Sequence, residues 1–399
     1  MFFSARGQEK TLQYYISAGL KNSPLLADLH NQLRSNAVDS LLLHASNKPQ
    51  VGFKGYAYYA PIVNDFGYSS VLTNIANLTS VINVSQQIFN KKTREVNYSR
   101  ISIQNQSISA AGRLTAMELK KNIIAAYLDA WSTASEIAFD KEQLAFSKEE
   151  GKMLKDLAEQ GIYKQTDYLS FGIDIMGQEL SIQGQEIQLQ KQLSDLNILC
   201  GIRDTAKVTM VRPVLGEMPA PKSELSPFFQ RFRVDSLRIK NEQSLVDRNY
   251  KPTLSWFSDA GLINNDPRVI YQNFGLSFGL NFTLPVYDGN QRKLKYLQLN
   301  MEEESRKNYA AAFAQEYDNH KRQLLDELKM TKEQLPGLEL QEKNAGLLIR
   351  EEKDLVRMGA ASITDYLNAI KNYLSIHRSL NQYEVRLLQI QNEINFWNQ

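Results

Sequence analysis

From Asn90 to about Gln160 the chain contains no proline, and apolar positions recur at spacings of three and four, as in Ile123, Ala126, Ala130, Ala134 and Ile137. That spacing marks one face of an α-helix. At the helical rise the run makes a rod of roughly 105 Å, so it predicts a coiled coil or a bundle of long helices, broken or continuous near Gly151. Gly161 interrupts the run, and Thr166 is placed to cap a second helix reaching about Cys200. A similar run begins at Asn290, is expected to break or bend at Pro336-Gly337, and resumes to Met358. Gly359 then stops it, and Thr364 is placed to cap a last helix carrying Leu387, Ile390, Ile394 and Trp397 in one stripe. Shorter helical patterns cover Glu9 to Lys48 and Phe228 to Tyr250. The first is interrupted at Asn22-Ser23-Pro24, where Ser23 caps and Pro24 takes the first helical turn; Lys251-Pro252 ends the second.

Four segments read as strands. In 50–60, Val51 and Phe53 share one face and Tyr56 and Tyr58 the other, which predicts either a bulge or a misplaced strand. Residues 72–86 put Leu72, Ala76, Leu78, Ile82 and Val84 on one parity and Thr73, Asn77, Thr79, Asn83 and Ser85 on the other. A further pair is expected at 253–262 and 273–284. In the last of these Phe274, Leu276, Phe278, Leu280, Phe282 and Leu284 alternate without exception with Asn273, Gly275, Ser277, Gly279, Asn281 and Thr283. One face is wholly apolar; the other is small, polar and uncharged. A soluble core on one side gives that pattern, and so does lipid outside with water inside.

The two halves repeat one list of elements: helix, strand, strand, very long helix, glycine turn, helix. Gly161 followed by Thr166-Asp167-Tyr168-Leu169 recurs as Gly359 followed by Thr364-Asp365-Tyr366-Leu367, an offset of 198. At the same offset the strand exit from Val84 to Asn90 falls on Phe282 to Asp288. An internal duplication is therefore expected, with a first repeat at 9–200 and its turn at 161–166, and a second at 228–397 with its turn at 359–364. Residues 201–227 hold Pro213, Pro219, Pro221 and Pro227 without sustained periodicity and read as a linker.

Composition removes several classes of function. Among 399 residues, 46 Lys and Arg stand against 44 Asp and Glu, so no whole-chain field gathers nucleic acid. Cys200 is alone, which excludes an intrachain disulfide, a thiolate cluster and a CxxC pair. His30, His44, His320 and His377 lack metal-ligand spacing, and no nucleotide-binding or hydrolase motif occurs. The expectation is no enzyme, no cofactor and no metal. No apolar run approaches the length of a transmembrane helix, whereas a transmembrane β-barrel needs only short alternating strands. The opening MFFSARGQEKT fits either the tail of an export signal or an ordinary N-terminus.

Four strands cannot close a barrel, and open edges are not tolerated in hydrocarbon. Closure then needs several chains, eight strands from a dimer or twelve from a trimer. Tyr56, Tyr58, Tyr59, Tyr68, Trp256, Phe257 and Tyr271 lie at or near strand ends, where aromatic belts form. Arg292, Lys293 and Lys295 open a helix against its dipole, a placement suited to an aqueous lip. The alternative is a soluble oligomeric coiled-coil scaffold without transport activity, which must bury the apolar face of 274–284.

Over roughly residues 9–397 the chain resembles the TolC-like outer-membrane efflux proteins. The residues carrying the resemblance are Ala18-Gly19-Leu20-Lys21-Asn22-Ser23-Pro24, Leu196-Asn197-Ile198-Leu199-Cys200-Gly201, Lys251-Pro252 and the passage Leu284-Pro285-Val286-Tyr287-Asp288-Gly289-Asn290-Gln291-Arg292. The resemblance implies a mainly α fold with β: a homotrimer whose twelve-stranded transmembrane β-barrel, four strands per chain, continues as a periplasmic α-helical barrel. It implies an outer-membrane channel of a tripartite efflux or secretion system in a Gram-negative envelope. Such a channel is a passive conduit joined by a periplasmic adaptor to an inner-membrane transporter. Residues 201–227 become an equatorial linker, Phe274 to Leu284 the lipid-facing set, and Pro285 and Gly289 the strand-to-helix passage. Gly161, Thr166, Asp167, Gly359, Thr364 and Asp365 fall at the tunnel tips. Asp365 is read there either as a ring of charge at the aperture or, like Asp167, as a first-turn residue favoured by the helix dipole. Ala360 and Ala361 depart from the family, whose members often carry a basic residue just after the second tip glycine.

Overall fold

The computed structural model describes residues 8–59, 66, 76–88, 91–203, 208–216, 226–266 and 268–399. Expectations for 1–7, Tyr68, 72–75, 89–90, Pro219 and Pro221 lie outside the described residues. In chain order the elements are β1 (Gln8–Glu9), α1 (Leu12–Asn22), α2 (Pro24–Ser46), β2 (Gln50–Tyr59), β3 (Ala76–Ile88), α3 (Lys91–Glu159) and α4 (Gln165–Leu199). The second half holds β4 (Val208–Thr209), α5 (Pro227–Asn249), β5 (Thr253–Asn264), β6 (Phe274–Thr283), α6 (Gln291–Arg357) and α7 (Ile363–Trp397). Helix-strand units thus occur twice: α2 and α5 each have 23 residues, and α4 and α7 each have 35. No helix among the described residues is long and apolar enough to cross a membrane.

The two long helices are unbroken, 69 residues in α3 and 67 in α6. Gly151 does not end α3, because its missing side chain admits a neighbour: a Cβ there would stand 3.1 Å from Ile175 and 3.5 Å from Phe171 of α4. Pro336 does not break α6 either. An interior proline forfeits a hydrogen bond and costs about 3 kcal/mol, but the helix is held on both sides of it, by buried Leu324 and Thr331 before and by buried Ala345 after.

The chain packs as two units, and each draws on both repeats. One comprises Leu29–Ala111 and Gln230–Ala311; the other comprises the described part of Met1–Asp28 together with Gly112–Phe229 and Ala312–Gln399. The duplication is therefore a pattern of sequence, and packing interleaves its copies.

The first unit carries an antiparallel sheet in the order β2-β3-β5-β6. β2 pairs with β3 from Gln50↔Ser85 to Tyr59↔Ala76 without a slip, so there is neither a bulge nor a misplaced strand in 50–59. Tyr56 and Tyr58 share the polar face, stacked at 6.2 Å, and thereby cover more of that surface than small residues would. Register places Val51, Phe53, Ile82, Val84, Leu254, Trp256, Leu262 and the β6 apolar residues on one face. Lys54, Asn83, Asp259, Ser277 and Asn281 lie on the other, where Asn83 Nδ2 donates to the Asp259 carboxylate at 2.6 Å. At Gly261 the strands approach so closely that a Cβ would stand 2.2 Å from the Ser80 carbonyl oxygen and 2.6 Å from the Val81 Cα.

In the second unit Tyr15, Ile123, Tyr127, Leu128, Leu196 and Cys200 form a core closed to solvent. Gly19 of α1 sits directly on it, since a Cβ there would meet the end of Ile123 at 2.4 Å. Asn22 Nδ2 donates to the Cys200 carbonyl at 3.1 Å and lies 3.3 Å from the Gly201 carbonyl; Gly201 has φ +62°. The two motifs around Gly19 and Cys200 are thus one contact. Part of the linker is fastened rather than loose. β1 pairs in parallel with β4, the Tyr127 hydroxyl donates to Val211 O at 2.9 Å and accepts from its N–H at 3.2 Å, and Asn395 donates to Gly216 O at 2.7 Å. On α7 the buried residues near the C-terminus are Val385, Ile390, Asn392 and Phe396, whereas Leu387, Ile394 and Trp397 are half-buried. The expected stripe shifts because Asn392, reaching Lys121 O at 2.9 Å, ties α7 to α3 through a polar position.

Two outcomes are expected. Gly261→Ala forces β3 and β5 apart at backbone atoms and should lower stability by about 1–3 kcal/mol, while Gly275→Ala, with no atom within 4 Å of its Cβ, should change it little; refolding in urea with detergent micelles measures both. Burial pushes the Cys200 thiol up to about 11. Native protein at pH 8 should then resist a thiol-specific disulfide reagent, since only about one thiol in a thousand is ionised, and react on denaturation.

Candidate functional site

Three places carry the predicted functional residues: the two helical turns, the apolar face of the sheet, and the passage from β6 into α6. At the turns, both long helices end in the same backbone motif. Gly161, with φ +77°, donates to Ala158 O, and Ile162 N–H reaches back to Leu157 O. Gly359, with φ +70°, donates to Val356 O, and Ala360 N–H reaches Leu355 O. A left-handed residue lets the chain satisfy its last carbonyls in this way, and glycine adopts it without a side-chain penalty.

The caps differ from expectation. Lys164 precedes α4 and makes no side-chain cap, so Thr166 is the second residue of the helix and not its cap. Ser362 caps α7, its Oγ accepting from Thr364 N–H at 3.1 Å, so Thr364 donates to the cap rather than forming it. The signal for Ser362 was present as serine followed three residues on by Asp365, an acidic variant of the capping box. Asp167 and Asp365 occupy first helical turns, where the positive end of the dipole favours carboxylates, and Asp365 is exposed.

The turns are brought together by a residue that sequence reasoning missed. The Tyr163 hydroxyl lies 2.7 Å from Val356 O and 2.9 Å from Ala361 O, so its single proton is shared between two carbonyls of the other turn. Burial, and then the nearby Asp167 charge, raise its pKa. Ala361 packs on the apolar cluster of Leu154, Phe171, Val356, Ile363 and Tyr366. A small residue suits that place, where a long basic one would have to leave the cluster. A few turns up α3, Lys353 pairs with nearly buried Glu150 at 2.6 Å, linking α6 to α3. Tyr366 is completely buried, and burial, with Glu150 second, raises its pKa. Farther along, α7 meets both helices of the first hairpin, α4 through Lys371 with Asp174 at 2.9 Å and α3 through Arg378 with buried Asp140 at 3.0 Å.

On the sheet, Phe274, Leu276, Phe278, Leu280 and Phe282 are all exposed in the single chain, Phe278 to 89%; Leu284, just past the strand, is also exposed. The residues opposite them on β5 are Leu262, Ala260, Ser258, Trp256 and Leu254, so the face contains no charged position along either strand.

In the passage, Pro285 ends the ladder, and Gly289 at φ +64° and Asn290 at φ +67° turn the chain into α6. The Asp288 carboxylate accepts from Asn290 N–H at 2.9 Å and Arg292 N–H at 2.8 Å, taking up donors that a helix start leaves without partners. Those bonds, led by that from Arg292, hold Asp288 below the usual carboxylate range. Arg292 in turn donates to Asp247 at 2.6 Å, lowering the Asp247 pKa and raising its own. The basic helix start is thus balanced by two carboxylates. Among the described residues no cluster of three or more His, Cys, Asp or Glu is arranged for a metal; His377 instead stacks on Phe139 and contacts Glu342 at 2.5 Å.

No protein-family profile matches the sequence, and no curated protein does. Solved structures do. The CmeC outer-membrane channel of Campylobacter jejuni superposes with a TM-score of 0.76 at 14% identity, covering 97% of this chain and 85% of that one. CusC, described for its folding and transmembrane channel formation, gives 0.77 at 13% identity over 98% and 92%. A membrane protein from Pseudomonas aeruginosa gives 0.79 at 12% identity over 100% and 94%. At such identities the likeness is one of architecture: this chain has, over nearly its whole length, the fold seen in bacterial outer-membrane channels.

Proposed function

We propose that the protein is the outer-membrane channel component of a tripartite efflux or secretion system, acting as a homotrimer and a passive conduit from periplasm to exterior. The observation that carries this reading is the sheet. Its order leaves β2 and β6 as edges, and an exposed, charge-free apolar face backs onto a polar one. An open edge is costly in lipid and in water. Three copies joined edge to edge give twelve strands with no edge, apolar outward and polar inward, with Phe274, Leu276, Phe278, Leu280, Phe282 and Leu284 toward outer-membrane lipid. Pro285 and Gly289 then bring the chain from the barrel into the helical tunnel in the periplasm.

The helices support assembly from copies as well. Leu169, Ile173, Met176, Leu180 and Ile187 form an exposed stripe on α4 at spacings of three, four and seven, each more than half exposed. Such a stripe is suited to helices of another copy. In this reading Gly161 and Gly359 with their following turns form the periplasmic tips that meet an adaptor protein, and an inner-membrane transporter supplies the energy. The residues Thr166, Asp167, Thr364 and Asp365 belong to these tips, Asp365 toward the threefold axis.

Native protein should fractionate with the outer membrane as a detergent-stable trimer; a soluble monodisperse oligomer would instead favour the scaffold. Phe278→Arg should cost about 2–4 kcal/mol of membrane stability and Ser277→Arg much less, as measured by unfolding from lipid bilayers. Equal, small effects would refute the facing.

At the tip, Tyr163→Phe removes one shared hydrogen bond, worth about 1 kcal/mol, and should raise the open fraction of single channels about fivefold. Asp365→Asn should weaken cation preference and divalent block while leaving insertion intact. Unchanged selectivity at low and high salt would reduce Asp365 to a first-turn residue.

A further inference from the structure

In the sheet-bearing unit a cavity of about 730 Å³ opens where the polar face of the sheet meets the end of α2 and the start of α3. Lys48, Lys54 and Arg94 line it, and Asp259 is the sole carboxylate among its lining residues. Asp259 already accepts from Asn83. All three cations are exposed, and none makes an ion pair among the described residues. Three like charges around one cavity repel each other, and against them the single Asp259 carboxylate leaves the lining with an excess of two positive charges, three minus one, which adds no stability to the fold.

The duplication makes this arrangement informative, because the second repeat builds the same corner differently. Both α2 and α5 begin at a proline and run for 23 residues, so His44 stands where Asp247 stands. Lys48-Pro49 corresponds likewise to Lys251-Pro252. At the offset of the turns, Arg94 corresponds to Arg292 and Asn90 to Asp288. In the second repeat Arg292 is paired with Asp247, and Asp288 serves the helix start. The first repeat keeps the arginine but holds histidine and asparagine in place of both acids, and adds Lys54 on the sheet. The difference between two copies of one corner is thus a loss of negative charge around a cationic cavity.

We propose that this cavity binds an oxyanion, the phosphate or carboxylate group of a soluble solute moving along the polar face. The Arg94 guanidinium offers a planar pair of donors matched to two oxygens of such a group, and the two ammonium groups add point charges. Asn281, on the same face, adds a neutral donor. That the solute is in transit rests on the channel proposed above; the cavity and its charge do not.

The test is calorimetric titration of inorganic phosphate into the full chain in zwitterionic detergent. The parent should bind at least about tenfold more tightly than the double variant Lys54→Gln/Arg94→Gln, the loss of charge-assisted hydrogen bonds being worth at least that factor. Arg238→Gln, which removes a cation already paired with Glu302 in the same unit, should bind like the parent. Equal phosphate binding by parent and double variant, or equal loss in Arg238→Gln, overturns the site. A parallel titration with phosphatidylglycerol in mixed micelles separates the sources: binding of the lipid alone, dependent on Lys54 and Arg94, overturns a site for soluble solutes. Bilayer recordings on the same samples keep the two readings apart, because a protein that conducts no current yet binds phosphate through Lys54 and Arg94 loses the channel and retains the site.

Discussion

A four-stranded sheet with two open edges and one exposed apolar face is the constraint from which the rest of the structure follows. A single chain offers no interior for that face: Phe278 and its neighbours on β6 stand free, and their cross-strand partners on β5 are themselves uncharged. Water penalises such a face by roughly 25 cal/mol per Å² of apolar area. Hydrocarbon removes that penalty but makes unpaired edge groups expensive, so the two costs are relieved together only when edges meet edges. Within the sheet, Gly261 leaves no room for a side chain between β3 and β5, since a Cβ there would meet the Ser80 carbonyl oxygen at 2.2 Å.

The helices answer a different problem, which is to hold long rods in register with little core at any level. Apolar contacts are concentrated in a few clusters, around Tyr127 and Cys200 and around Tyr366 and Val356. Between and beside them the ties are polar and specific: Asn392 to Lys121 O, Asn381 to Glu136, Arg378 to Asp140, Lys353 to Glu150. Apolar seams alone permit sliding by a turn, whereas a buried amide or a half-buried ion pair is satisfied in one register and left without a partner in others. Tyr163 applies the same principle at the glycine turns, where a single hydroxyl is placed between two carbonyls of the other hairpin.

The repeated helix-strand units give the molecule two versions of the corner where the sheet meets a long helix, and the two can be compared residue by residue. The features kept in both copies, a glycine at positive φ after each long helix and an acidic residue in the next first turn, are those that any such hairpin needs. Among the features that differ is the charge where the sheet meets a long helix. Arg292 has Asp247 as its partner, while the corresponding Arg94 faces a cavity shared with Lys48 and Lys54.

Much of this architecture was legible because it depends on local periodicity. Proline-free helical runs became α3 and the part of α6 before Pro336, strict alternation became β6, and Gly161 and Gly359 fell at turns that require a left-handed residue. The motif residues near Gly19 and Cys200 were legible as a pattern but not as a contact, because their sequence separation is large and only packing shows that a side chain at Gly19 would collide with Ile123. Periodicity misjudged the places where tertiary contacts override local preference. Pro336 stays within one helix because contacts on both sides outweigh one lost hydrogen bond, and the strand at 50–59 is regular because Tyr56 and Tyr58 belong on the polar face. Thr166 and Thr364 looked like caps from residue type alone, while the backbone begins each helix one residue before them. The partners of Tyr163, Glu150 and Arg292 could not be read from the chain, since a hydrogen bond or ion pair between distant residues leaves no period behind it. Sequence determined which segments are helix, strand and turn, because those follow from spacing and backbone sterics; tertiary structure decided which polar groups meet, because that depends on distances only the folded chain creates.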